Sequence, residues 1–334
     1  MDELQIGEIF GIKINLHITF IFLIAISAIF GLTALLFLFL LFGSVFLHEL
    51  SHSISAKNNG LHVKKILLLP LGGLSEIKEN EIPSDIEIKV ALVGPVFNLF
   101  LSFLSAAFAS ISIPPFATLF QYLFMINLLL GVSNLIPAFP FDGGKVFRGV
   151  LSKKLNFFEA TNLVKKLGDF IIIMIFFISV LWSFFANDFS FLIWNLLIIL
   201  MVYEAGNYEV EIASLRMELV GVNAKDALEK RFVFVDENEK VNNILGLLKK
   251  HYYILLKIKN SFYVVDPFLI KDKEQKVKEV AKEVPTITKN SKLFNAIQAL
   301  KDFGVLVVLD KRRVIGLVTP LSVKLLRLKI KNNK

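Results

Sequence analysis

Residues 33–57 read TALLFLFLLFGSVFLHELSHSISAK. From Thr33 to Leu47 there is no charge, and then His48, Glu49 and His52 fall within about one helical turn before Lys57 closes the stretch. A helix needs about 20 mostly apolar residues to cross a bilayer, and this stretch supplies them. On that helix His48 and His52 are four apart, so they lie one above the other on one face. Two imidazoles so placed can bind one Zn²⁺, with Glu49 beside them to take a proton from water. The pattern is short and arises by chance in soluble helices, where packed histidines are the plainer explanation. Inside a membrane span such residues are costly and functional by default.

The surroundings support a membrane reading. Of 334 residues 55% are hydrophobic, 33 are Phe, and the mean hydropathy is +0.64. The excess sits in the first two thirds; the last third is Lys- and Glu-rich with short apolar runs. The expected fold is a polytopic α-helical membrane domain with six transmembrane helices and a small membrane-associated β-structure, then a soluble α/β module. The predicted spans are 14–32, 34–56, 90–111, 117–137, 168–186 and 189–206. The breaks FGLTA, SISIPPFA and FANDFS hold no Lys or Arg, whereas 57–89 and 145–166 are basic. Short Lys- and Arg-rich loops stay in the cytoplasm, which places both termini there, in a protein of the cell membrane. The formal charge of +8 is then topological and argues against nucleic acid as a partner. With no Cys, a disulfide framework and a thiolate metal site are excluded. The acidic N-terminus MDELQIGEIFGIK, with no small-residue cleavage site after the first apolar run, is not expected to be a signal peptide.

A catalytic zinc takes a third protein ligand. Asp142 is the one other acid embedded in an apolar region; Asp169 and Asp188 sit near span ends and Glu204 where the last span exits. Glu49 precedes Lys57 by about 12 Å of helix. Asp142 precedes Lys145 by about 10 Å if that stretch is extended, so the two depths match. In NLIPAFPFDGGK (134–145), Pro137, Pro140, Gly143 and Gly144 oppose a helix. Unwound backbone at membrane depth survives only where protein buries it or water reaches it, so the fourth span should break where Asp142 turns inward. LHVKKILLLPLGGLSEIK (61–78) is expected to form a hairpin or small sheet at the membrane face, with an irregular interfacial loop equally open. His17 reads as an interfacial anchor, and His62 and His251 as surface or structural residues.

At these residues the chain resembles the site-2 protease family of intramembrane metalloproteases. The matching pieces are HELSH, Gly94-Pro95 with Asn98, KILLLPLGG, and Asn134-x-x-Pro137-x-x-Pro140-x-Asp142-Gly143-Gly144. Ser51 departs from the family's usual Gly. The resemblance covers residues 1–206 and is greatest to six-span members with C-terminal cystathionine-β-synthase-type (CBS) domains. It implies one zinc per chain on His48, His52 and Asp142, Glu49 as general base, and single-span membrane proteins as substrates. It also implies that Asn98 and Asn134 position substrate; satisfying the broken helix is the other role open to them. A helical substrate would have to unwind, and the strand at 63–69 is expected to receive it by edge addition.

After a juncture at 207–222, residues 223–334 repeat a β-α-β-β-α order and resemble a tandem CBS pair. Ser322 stands where that family's ribose-binding acid falls, so adenine nucleotides should bind weakly or not at all. A homodimer through this module, or a tethering role, is the other expectation. A transporter or channel gated by such a module, and an inactive membrane scaffold, are competing readings. The transporter gives no reason for Glu49 between two ligands, and the scaffold none for four intact site residues.

Overall fold

Long apolar runs set the helices of the N-terminal unit. The computed structural model describes residues 3–70, 72–77, 82–187, 189–250 and 252–332; His251 lies outside them. The chain divides into two compact units, Met1–Ser214 and Leu215–Lys334. Among the described residues five helices are long and apolar enough to cross a membrane: α2 (Leu32–Asn58), α3 (Ser84–Ile111), α4 (Phe116–Asn134), α6 (Phe157–Ala186) and α7 (Ser190–Glu218). They coincide with five of the expected spans, but α3, α6 and α7 extend further at polar ends. Hydropathy marks only the apolar portion, whereas helix hydrogen bonding continues through Ser84–Lys89, Phe157–Lys166 and the charged end of α7. The juncture expected at 207–222 is therefore helix as far as Glu218.

The first expected span differs most. Only α1 (Ile18–Ile29), 12 residues, is helical; that is about 18 Å, short of a hydrocarbon core of about 30 Å. The residues before it form β2 (Ile12–His17), which joins β1 (Glu3–Ile9), β3 (Val63–Leu69) and β4 (Gly72–Ile77) in one sheet of order β1-β2-β3-β4. β1 and β3 flank β2 antiparallel and parallel, and β4 closes a hairpin on β3. The hairpin expected at 61–78 is present. Ile12, Ile66 and Leu68 pack from the sheet against Phe20, Leu38 and Phe42 of α1 and α2. The opposite face is ionic: Lys65 bonds Glu3 at 2.6 Å and Lys64 bonds Glu76 at 2.8 Å. Burial works against the charge of Glu76, but the two lysines hold its carboxyl below the ordinary range. His17 caps α1, its Nδ1 accepting from Thr19 N at 3.3 Å.

α4 stops at Asn134, and residues 135–141 run through turns before α5 (Asp142–Leu151) begins. The break is where the prolines placed it. Gly143 and Gly144 are nevertheless helical, the first turn of α5, so the run to Lys145 is not extended. Their role is space: a Cβ on Gly143 would lie 2.3 Å from Leu135 O, and one on Gly144 2.7 Å from the Ala138 carbonyl carbon. The turn segment packs directly on the helix it leads into. α5 is tied down by Arg148, which bonds Glu87 of α3 at 3.1 Å through Nε and Glu209 of α7 at 2.6 Å through Nη1. Its guanidinium also lies 5.0 Å from the Phe139 ring centroid and 4.7 Å from that of Phe157.

The C-terminal unit contains two related halves. In the first, β5 (Phe232–Phe234) runs parallel to β6 (Tyr253–Ile258), linked by α8 (Val241–Lys249), and β6 turns back into β7 (Ser261–Val265). In the second, β9 (Thr286–Thr288), α9 (Leu293–Phe303), β10 (Leu306–Asp310) and β11 (Arg313–Val318) repeat this order, and α10 (Pro320–Asn332) follows. The expected closing helix of the first half is absent. Asp266-Pro267 opens a short 3-10 turn instead, and β8 (Ala281–Val284) pairs with β7. A cleft of about 1240 Å³ in this unit is lined by Arg231, Lys249, Tyr253, Asp266 and Lys282 among others.

Arg148 is buried with Glu87, whose side chain is 11% exposed. Arg148→Met keeps most of the stem but leaves that carboxylate unpaired, which costs about 3–5 kcal/mol. Thermal unfolding in detergent should show a markedly lower midpoint for Arg148→Met and a smaller loss for Glu209→Gln, because Glu209 is more exposed.

Candidate metal centre

α2 presents His48 and His52 on the face toward α3, and the chain break brings Asp142 to them. His48 Nε2 lies 3.0 Å from Asp142 Oδ2, His52 Nε2 2.9 Å from the same oxygen, and the two Nε2 atoms are 3.0 Å apart. All three residues are buried, at 5%, 6% and 4% exposure. The carboxylate is not isolated: its Oδ1 accepts from Lys145 Nζ at 3.0 Å.

The other ring nitrogens fix the chemistry. His52 Nδ1 lies 2.7 Å from the backbone oxygen of Val90, which can only accept, so Nδ1 carries the proton. His48 Nδ1 contacts Asn98 Oδ1. Asn98 uses its Nδ2 to donate to Asn127 Oδ1 at 2.7 Å, which leaves Oδ1 to accept from His48. In their neutral forms both imidazoles therefore aim an Nε2 lone pair at one carboxylate oxygen. Three electron-rich atoms in one dry spot repel one another, and a cation between them removes that repulsion. Ligand atoms about 2.0–2.1 Å from a tetrahedral zinc stand about 3.3 Å apart, so a few tenths of an ångström of opening admits the ion. The donor set fits zinc.

Space for the rings comes from α3. A Cβ on Gly94 would stand 2.3 Å from His52 Nε2 and 2.7 Å from His48 Cε1. Gly94 is thus the slot that both imidazoles enter, a close approach that the sequence motif did not explain. Glu49 is half-buried beside them, and Ser75 of β4 donates to its Oε2 at 2.6 Å. Gly73 lets β4 come this near, since a Cβ there would meet Glu49 Cγ at 2.5 Å. Ser51, on the same turn, donates to His48 O at 2.6 Å.

The two asparagines separate. Asn98 is fully buried, with both ends of its amide engaged on His48 and Asn127. It stands behind His48, whereas the sequence left it open between positioning substrate and satisfying the broken helix. Asn134 is half-buried and donates to Leu130 O at 2.9 Å, satisfying the end of α4. Ser44, Ser75 and Asn127 were missed; only the cost of a polar residue inside an apolar run could have flagged Ser44 and Asn127. The strand at 63–69 has neighbours on both sides and cannot accept another. The edge strand beside Glu49 is β4.

The model of Peptidase family M50 matches residues 36–117 and 109–177, and that of the CBS domain matches residues 277–324. Zinc metalloprotease MJ0392 of Methanocaldococcus jannaschii is 33% identical over 262 residues, 75% of this chain and 73% of the relative. Putative zinc metalloprotease sll0528 of Synechocystis is 41% identical over 116 residues, 34% of this chain and 30% of that protein. The solved structure of a site-2 protease from Methanocaldococcus jannaschii aligns with a TM-score of 0.47 at 32% identity, over 62% of this chain and 95% of that one.

Gly94→Ala tests the slot. The added methyl would displace both rings from their shared focus, so zinc per protein, measured by elemental analysis after purification, should fall well below wild type. Gly43→Ala, on α2 where a Cβ meets nothing within 4 Å, should retain it.

Proposed function

This chain belongs to peptidase family M50, and we propose that it cuts its substrates within or beside their own membrane-spanning segments. It is a membrane zinc metalloendopeptidase that carries a CBS domain. The observation behind the finer reading is that His48, His52, Asp142 and Glu49 gather at the break of an apolar helix bundle. A site in that position serves a scissile bond that is itself at membrane depth.

His48 Nε2, His52 Nε2 and the Asp142 carboxylate would hold the zinc. The ion supplies Lewis acidity at a carbonyl and renders water acidic near neutral pH. Glu49 would accept the proton of the attacking water and return it to the leaving amine, with Ser75 fixing one of its oxygens. A substrate helix hides its carbonyls, so single-span substrates would unwind locally and lie along the free edge of β4. Asn134, one N–H of which bonds Leu130 O, would keep its Oδ1 and second N–H for the substrate backbone.

The proposed topology has six crossings with both termini in the cytoplasm. The first is α1 fed by β2, whose hydrogen bonds to β1 and β3 let an extended strand sit at the membrane face. The second half of the C-terminal unit favours tethering or dimerisation over nucleotide binding. Ser322 closes a cap there, its Oγ accepting from Thr319 N at 3.0 Å while its own N donates to Thr319 Oγ1 at 3.1 Å, and it offers no carboxylate.

Because the chain has no Cys, single-cysteine labelling reads topology directly. A Cys at position 115 should react with an impermeant maleimide from outside, and one at Lys153 only after lysis; the reverse pattern sinks the orientation. Two substitutions separate the roles of the site residues. Glu49→Gln should keep zinc near one per chain while cleavage of a model membrane-spanning peptide falls by about 10²–10⁴-fold. Asp142→Ala leaves two imidazoles and should lose zinc and activity together. Full zinc and full cleavage in Asp142→Ala would place the third ligand elsewhere.

A further inference from the structure

Asn127 lies near the middle of α4 and Ser44 near the middle of α2, and neither belongs to any motif in the sequence. Both are buried, at 1% and 3% exposure, beside the apolar stretches LFMI (123–126) with LLL (128–130) and LLFLFLLFG (35–43). A polar side chain in that setting is costly unless its hydrogen bonds are complete. Here they are, and the chain they form leads to the metal site.

The bonds can be followed from a fixed end. Leu123 O accepts from Asn127 Nδ2 at 2.9 Å, and a carbonyl oxygen can only accept, which fixes the Asn127 amide. Ser44 Oγ donates to Leu40 O at 2.9 Å, so it is left to accept from Asn127 Nδ2 at 3.0 Å. Asn127 Oδ1 consequently faces Asn98 Nδ2 at 2.7 Å, and Asn98 Oδ1 faces His48 Nδ1. Two backbone carbonyls thus dictate, through three side chains, which nitrogen of His48 holds its proton. The path begins on α2 at Ser44, passes through α4 and α3, and returns to α2 one turn later at His48.

We propose that Asn127 and Ser44 are positioning residues of the metal site, which with Asn98 hold His48 as its Nδ1–H tautomer so that Nε2 is presented bare to the ion. The proposal rests on the reading of His48 as a ligand but not on the reaction or substrate. Loss of an outer partner of a metal-bound histidine typically costs about 10–100-fold in metal affinity. Asn127→Leu removes the junction of the relay and should fall in that range. Asn127→Asp stays neutral when buried, offers its C=O to Asn98 and its O–H to Leu123 O, and should hold zinc near the wild-type affinity.

The test uses full-length protein in lipid nanodiscs, ¹⁵N-labelled at histidine, with zinc affinity read by competition with a chromophoric chelator. In metal-free wild type His48 should show the Nδ1–H tautomer. In Asn127→Leu that signal should divide between tautomers, with zinc bound at least about 10-fold more weakly; Asn127→Asp should restore both. An Nε2–H tautomer in metal-free wild type overturns the proposal without any variant, so it stays open to refutation even if Asn127→Leu fails to fold. A folded Asn127→Leu with the wild-type tautomer and zinc affinity overturns it too. A merely structural role would lower the melting temperature and leave the tautomer unchanged. If the tautomer and affinity shift as expected but the wild type cleaves no peptide, the relay stands and the proposed reaction falls.

Discussion

Two imidazole nitrogens and one carboxylate oxygen, which in the neutral rings have no proton to offer one another, are held 2.9–3.0 Å apart inside an apolar bundle. Left alone they repel, and little solvent is present to screen them. The N-terminal unit reads as the set of constraints that keeps them there. Gly94 gives both rings their slot. The seven-residue interruption after α4 turns the chain so that Asp142 arrives from a direction a continuous helix could not supply. Arg148 anchors α5 to two neighbouring helices, so the carboxylate that α5 carries cannot retreat. Each nitrogen turned away from the cluster is committed to an acceptor.

Much of this was legible in the sequence because the relevant signals are local. His48, Glu49 and His52 occupy one turn, and the prolines at 137 and 140 mark the interruption within a few residues of where it falls. The helices follow from apolar run length, since hydrocarbon leaves the backbone no other partner. What could not be read depends on pairing between distant segments. Residues 14–17 lead straight into an apolar run and read as the start of a span, and only the arrival of β3 at Lys65–Leu68 makes them strand. Gly143 and Gly144 carry low helix propensity, yet contact with Leu135 and Ala138 overrides it. The Glu87–Arg148–Glu209 bridge joins positions 61 residues apart on either side, and no spacing rule anticipates it.

The sheet has a second significance. The four-stranded sheet covers one side with Phe20, Leu38 and Phe42 while keeping its ion pairs on the other. That arrangement brings Ser75 to Glu49 and, among the described residues, puts an edge strand at the same place. Among the described residues, the hydroxyl that holds Glu49 and a sheet edge beside it are thus supplied by one strand.

The spacing of the ligands along the chain also sets an order in time. His48 is made 94 residues before Asp142, an interval of about 5–20 s at a synthesis rate of about 5–20 residues per second. Asn98 follows His48 by 50 residues, and Asn127 follows Asn98 by 29. The histidine on α2 therefore enters the bilayer early and acquires its hydrogen-bond partners one helix at a time. Its carboxylate neighbour comes last. During biogenesis the nascent peptidase therefore carries only the two histidines of its three-residue cluster until its own fourth helix has been inserted and interrupted.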